Sequence, residues 1–296
     1  MFAVLQRKTF MEALRVDDRL EVGRLLGRWP SLGSLALSDR FRPAEDADLN
    51  RLYPIRQRVG ETLAPVHVVL ARDDVETLRL LLDGGLVPLV PEDGPSLLNL
   101  AAVVRTSLGC LRLLLERAEP GAVDRVTGFG TPLHEACHEG GVEAVRLLLD
   151  AGARLDTRAE MSGDTPLHYA ARRAEPAITR LLIERSADLN AANAHGKTPL
   201  DIEPEWTPER SAAISESWTL LKAAGAKHSP EVEARLEKNR ADAARENAER
   251  ARVETRCRSG QHRWQIQKTT THLRAGDAYK MNMTSRCQDC GVTRTV

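Results

Sequence analysis

Residues 131–141, TPLHEACHEGG, set His134 and His138 four positions apart with Glu135 beside the first. On a helix that spacing puts both imidazoles on one face, where they could ligate zinc while Glu135 activated a metal-bound water, as in a zinc metalloprotease. Gly141 fits the extended form of this motif, but its third ligand position is Ala144, so a catalytic ion would need its last ligand from elsewhere. A second constellation lies at 257–291, where CRSGQHRW and CQDCG supply a C-x4-H pair and a C-x2-C pair separated by 24 residues. Cys257, His262, Cys287 and Cys290 make a complete tetrahedral set for Zn2+ and leave no position for a substrate water, so this zinc is expected to fold the segment rather than catalyse. Cys110 and Cys137 stand singly in helical segments and suit small core positions. Five cysteines, an odd number so distributed, argue against a secreted disulfide framework.

The elements that must hold the C-terminal set read as strands. HRWQIQKTTTH alternates Trp264 and Ile266 with polar residues, AYKMNMTSR alternates Tyr279, Met281 and Met283, RAGD supplies a turn, and VTRTV adds a third short strand. With its ligand spacing the segment resembles a zinc ribbon. From Arg256 onward eight Lys or Arg stand against two acids, while the whole chain has zero formal net charge, so the remainder carries the balancing negative charge. A basic ribbon with Trp264 and Tyr279 could make weak, sequence-indifferent contact with nucleic acid, or dock protein with Trp264 in its own small core.

The HEACH motif belongs to a repeat. Related segments begin at Ala64 (APVHVVLARDD), Ser96 (SLLNLAAVVRT), Thr131 (TPLHEACHEGG), Thr165 (TPLHYAARRAE) and Thr198 (TPLDI), about 32, 35, 34 and 33 residues apart. Within a unit, Thr-Pro starts a short helix, a break follows at Asp73-Asp74 or Gly140-Gly141, and a second helix such as VEAVRLLLD carries an apolar stripe at Val142, Val145, Leu148 and Leu149. Neither helix can bury its stripe alone, so such units must stack, and the end units need more polar outer faces. The period and the TPLH signature resemble ankyrin repeats over roughly residues 62–226. The resemblance implies that His67, His134 and His168 are structural, bonding backbone between units, which is an alternative to the protease reading of the opening motif. It also implies that partners are met by hairpin tips and by the concave groove of first helices. Those positions are Asp164, His195 and Lys197 at tips, and Arg72, Glu135, His138, Glu139, Tyr169, Arg172 and Arg173 in the groove.

The expected architecture is therefore mainly α: an ankyrin-repeat solenoid of five to six units, a long connecting helix and a small β zinc ribbon. Hydrophobic residues at 42% allow a sizeable core, and aromatics at only 4% make it one of Leu, Val and Ala, which suits close-packed helices. Residues 1–61 are expected to hold a degraded N-terminal unit at 10–32 and a long, hairpin-like connection from 33. The repeats and a C-terminal cap occupy 62–228, the cap with an insertion at Pro204–Pro208. A charged, alanine-rich solvated helix links 229–256, and the ribbon occupies 257–296. With neither a secretory leader nor an apolar run of membrane-spanning length, the expected setting is cytoplasmic, without membrane association. The expected function is non-enzymatic: an adaptor, inhibitor or immunity-type protein gripping a protein partner, with the ribbon as second contact. A nucleic-acid-binding regulator using the basic ribbon is the alternative.

Overall fold

The structure, a computed structural model, describes residues 9–10, 12–13, 18–28, 46–59, 64–84, 95–105, 108–127, 130–258, 264–268, 283–287 and 293–295; for 46–51, 250, 253–254 and from 256 onward it describes backbone alone. The chain divides into two compact units, Met1–Ser229 and Pro230–Val296.

In the first unit the elements come as α1 (Arg19–Arg28), α2 (Asp46–Val59), then four helix pairs: α3 (Pro65–Arg72) with α4 (Val75–Asp83), α5 (Leu97–Val103) with α6 (Leu108–Arg117), α7 (Pro132–Glu139) with α8 (Val142–Asp150), and α9 (Pro166–Arg173) with α10 (Pro176–Glu184). A 3-10 turn at Pro199–Asp201, standing where the next first helix would be, and α11 (Ser211–Ala223) complete it. First helices pack on first helices along one row, α3 to α5 to α7 to α9 to the 3-10 turn, and second helices on second helices along another, α1 to α4 to α6 to α8 to α10 to α11. Small residues on the first helices, Ala101, Ala136 and Ala170, are fully buried and let their backbones approach closely, while Leu78, Leu111, Leu148, Ile178 and Leu221 fill the second row. One continuous core runs from Phe10 to Ala226.

Local chemistry explains the pairing. Pro stands in the first turn of α3, α7 and α9, where its missing N–H leaves no partner wanting. The chain then reverses through a left-handed residue: Asp73 (φ 55°), Gly140 (φ 80°) and Ala174 (φ 51°) occupy equivalent corners. The Asp-Asp break does two jobs. Asp74 caps its own α4 by accepting from the Thr77 N–H at 3.2 Å. Asp73 caps the neighbouring α6, its carboxylate accepting from the N–H of Gly109 at 3.0 Å and of Cys110 at 2.6 Å.

One stretch differs from expectation. Residues 46–59, assigned to a hairpin-like connection, form helix α2, which packs against α3 and α5 and buries Leu52 and Ile55 with Val59 beside them. The apolar spacing 52, 55, 59 is helical, but the RPAEDADLN composition and a proline inside the helix, Pro54, disguised it.

The second unit begins with α12 (Pro230–Arg258), whose residues are almost all exposed from Glu231 to Glu249. Strands β1 (Trp264–Lys268), β2 (Met283–Cys287) and β3 (Thr293–Thr295) follow as an antiparallel sheet in the order β1-β2-β3, with Trp264 facing Cys287 and Lys268 facing Met283. Of the expected zinc ligands, His262 and Cys290, and the side chains of Cys257 and Cys287, lie outside the described residues. Among the described residues, no helix is long and apolar enough to cross a membrane.

Candidate interaction surface

The geometry of the opening motif decides between its two readings. His134 is fully buried, and its Nδ1 accepts from the Thr131 N–H at 3.1 Å, with the Thr131 hydroxyl 2.8 Å away. With Nδ1 an acceptor, Nε2 carries the proton and donates to the Asp164 carbonyl in the next unit at 3.0 Å. Both ring nitrogens are thus committed within the fold, and neither is left to hold a metal. Burial lowers the His134 pKa to about 4, partly offset by the Asp164 carbonyl, so the ring is neutral. His168 repeats the arrangement, accepting from the Thr165 N–H at 3.1 Å and donating to the Lys197 carbonyl at 3.0 Å. Among the described residues no three His, Cys, Asp or Glu side chains converge where an ion could be held. Cys110 and Cys137 are buried in the core, and burial pushes the Cys137 thiol up.

The positions proposed for partner contact fall into three groups. The first is closed. Glu135 is only 2% exposed, because α2 brings Arg58 over it: Arg58 Nη2 donates to Glu135 Oε2 at 2.8 Å and to Glu139 Oε1 at 3.1 Å. Burial pushes the Glu135 carboxyl up, Arg58 opposing, and its Oε1 has no hydrogen-bond partner among the described residues. Arg72, at the end of α3, is likewise buried, at 8% exposure. Neither residue faces an open groove as expected; helix α2 of the chain itself occupies that part of the first-helix row.

The second group is half-exposed and knitted together. Glu139 Oε1 lies 3.3 Å from His138 Nδ1, and although burial would raise the Glu139 carboxyl, His138, Arg58 and Arg173 outweigh it and hold it below its usual value. His138 Nε2 stands 3.8 Å from Glu205, which also accepts from Arg173 Nη1 at 3.3 Å. Tyr169 meets His134 edge-on at 5.2 Å between centroids, and the Arg172 guanidinium lies over its ring at 5.5 Å.

The third group lines a cleft of about 510 Å³ in which Arg172, His195 and Lys197 meet Asp164, Ile202 and Glu203. Asp164 is buried at 1% rather than presented at a tip, and both its oxygens are used: Oδ1 accepts from Asn193 Nδ2 at 2.7 Å and Oδ2 from Arg172 Nη2 at 3.3 Å. It positions Arg172 and the tip. His195 and Lys197 are exposed. Arg58, Asn193, Glu203 and Glu205 were not anticipated. Arg58 lies 77 residues from Glu135 with no motif to link them, whereas the Glu203 and Glu205 positions follow from the insertion that interrupts the last unit.

Residues 98–193 match the family model of ankyrin repeats, in three copies. The chain is similar to human (Homo sapiens) ankyrin repeat and SOCS box protein 11, 37% identical over 117 residues, 39% of this chain and 35% of that protein. It is 34% identical over 140 residues to the mouse (Mus musculus) B-cell lymphoma 3 protein homolog, 46% and 31% of the two chains. It is 41% identical over 92 residues to mouse protein phosphatase 1 regulatory subunit 27, 30% and 59% of the two chains. The chain thus spans about a third of the length of the first two of these relatives. Its helix pairs from 98 to 193 are ankyrin repeats.

Proposed function

We propose that the chain is a non-enzymatic interaction protein of the adaptor or inhibitor kind, working in the cytoplasm, whose repeat stack grips a protein partner through the surface from His138, Glu139 and Arg173 across Tyr169 and Arg172 to His195 and Lys197. The observation that carries this is the cleft at Arg172, His195 and Lys197, where buried Asp164 holds the Arg172 guanidinium and Asn193 holds the backbone of His195 and Lys197, whose side chains are open to solvent. Preorganised polar groups on a rigid scaffold bind with little loss of side-chain freedom. Full-length protein and an Arg172→Glu, Arg173→Glu variant, compared as bait with matched melting curves, test it. Loss of the retained partner by the variant is expected, and identical partner recovery by both would contradict the surface.

In the second unit, a structural zinc held by Cys257, His262, Cys287 and Cys290 supplies a second contact. What supports this is the register of β1 with β2: Trp264 faces Cys287, so the chain entering β1 from the first ligand pair and the chain leaving β2 toward Cys290 meet the sheet at the same end. Metal analysis of the full chain should find one zinc, lost on Cys287→Ser; a chain that binds none overturns the assignment. The excess of basic residues after Arg256 favours nucleic acid as an alternative ligand of this segment, with binding that weakens steeply as salt rises.

A further inference from the structure

The last unit of a repeat stack ordinarily needs a polar outer face, yet this one exposes two of the chain's four tryptophans. Trp206 is 67% and Trp218 37% exposed, in a chain whose buried core among the described residues has no tryptophan at all. Both line a groove of about 630 Å³ with Pro204, Ile214, Lys222 and Glu203. Glu203 also lines the cleft that holds Arg172, His195 and Lys197, so groove and cleft adjoin along one wall.

The segment that presents Trp206 is fixed. Glu205, its neighbour, donates its N–H to the Arg172 carbonyl at 2.9 Å and accepts from Arg210 Nη1 at its own carbonyl at 3.1 Å. Thr207 is followed by Pro208 and a 3-10 turn. A large aromatic side chain held out on a pinned backbone is the usual form of an interface anchor, because it adds apolar area on binding with little ordering cost. Charge narrows the occupant. Among the described residues Lys197 on the cleft side and Lys222 on the groove side have no carboxylate partner; of the two acids that line cleft and groove, Asp164 is buried and already bonded to Arg172 and Asn193, and Glu203 lines both.

We infer that groove and cleft form one docking track for an acidic peptide segment of a partner protein, which inserts a bulky apolar side chain between Trp206 and Trp218 and sets carboxylates against Lys222, Lys197 and Arg172. This rests on the interaction role proposed above and moves its centre to the C-terminal end of the stack.

The test is selection of a random sixteen-residue peptide library on the full chain, followed by affinity measurement of the enriched peptides by fluorescence anisotropy. Enriched peptides are expected to place Asp or Glu around an aromatic or large aliphatic residue. They should lose at least tenfold in affinity for Trp206→Ala, Trp218→Ala and for Lys197→Glu, Lys222→Glu, whose side chains are exposed or lie in open cavities, so melting should be unchanged. Basic peptides, or affinity that survives both variants, would overturn the track. Peptides lost only on Arg172→Glu, Arg173→Glu would overturn the track while leaving the interaction role standing. A library from which nothing is enriched counts against both.

Discussion

His67, Asn99, His134, His168 and Asp201 occupy one position in five successive units and serve the same need with different chemistry. His67, His134, His168 and Asp201 each accept the N–H of the N-cap residue just before their helical turn, three positions earlier. Asn99, His134 and His168 also donate to a carbonyl of the following unit. Asp201, at the last unit, accepts instead, from the Ser229 N–H at 2.8 Å and His228 Nδ1 at 2.7 Å, and these bonds overcome burial and hold its carboxyl down at about 2. A pH dependence follows. His67 and His134 are lowered by burial from 6.5 to about 4, so as pH falls through that window the unfolded chain takes up protons that the folded chain refuses. Their contribution therefore rises with pH from about 4 to about 6.5 and is lost as pH falls, by up to roughly 3 kcal/mol per histidine. Asp201 adds a loss of the same sign below its ordinary value of 3.8. Urea midpoints measured from pH 7 to 4.5 should fall steadily and fall less in His134→Asn, whose side chain cannot titrate but retains a donor. A flat profile would contradict the buried neutral rings.

Between elements, the clearest coupling is α2 on the first-helix row. Arg58 reaches Glu135 and Glu139 on α7, and the Arg58 and Glu135 side chains are nearly inaccessible to water. Breaking a buried pair leaves an uncompensated charge, so Arg58→Ala is expected to destabilise the protein by about 3 kcal/mol, with Glu135→Gln restoring part of it in the double variant. Chemical denaturation of the four proteins checks this, and an Arg58→Ala variant as stable as the parent would show that α2 does not hold Glu135. The elements differ in how legible they are in sequence. Helix pairs α7–α8 and α9–α10 can be read from TPLH, the corner and the apolar stripe, because each signal is local. Helix α2 was illegible because its proline and acidic start resemble a loop and the acids on α7 that Arg58 pairs with are distant in sequence. The burial of Glu135, expected in a groove from its place beside His134, follows from α2 and could not be seen without it. The exposure of His195 and Lys197 could be read, since tips alternate regularly with helices; the burial of Asp164 could not, since it depends on Asn193 and Arg172 closing on it.

At the scale of the molecule, two rows of helices share one core from Phe10 to Ala226, and the first-helix row is covered by the chain's own helix at one end and open at the other. The proposed interaction surface rests on that asymmetry. Ion pairs such as Arg117–Asp83 and Arg185–Asp150 join neighbouring second helices at exposed sites and contribute little to stability, so the second row is best regarded as the structural back of the stack. Hydrogen exchange of the full chain, free and saturated with a captured protein partner, tests this division most directly. The account predicts added protection in residues 169–173 and 193–207 and none in α4, α6 or α8; protection confined to the second-helix row would contradict it.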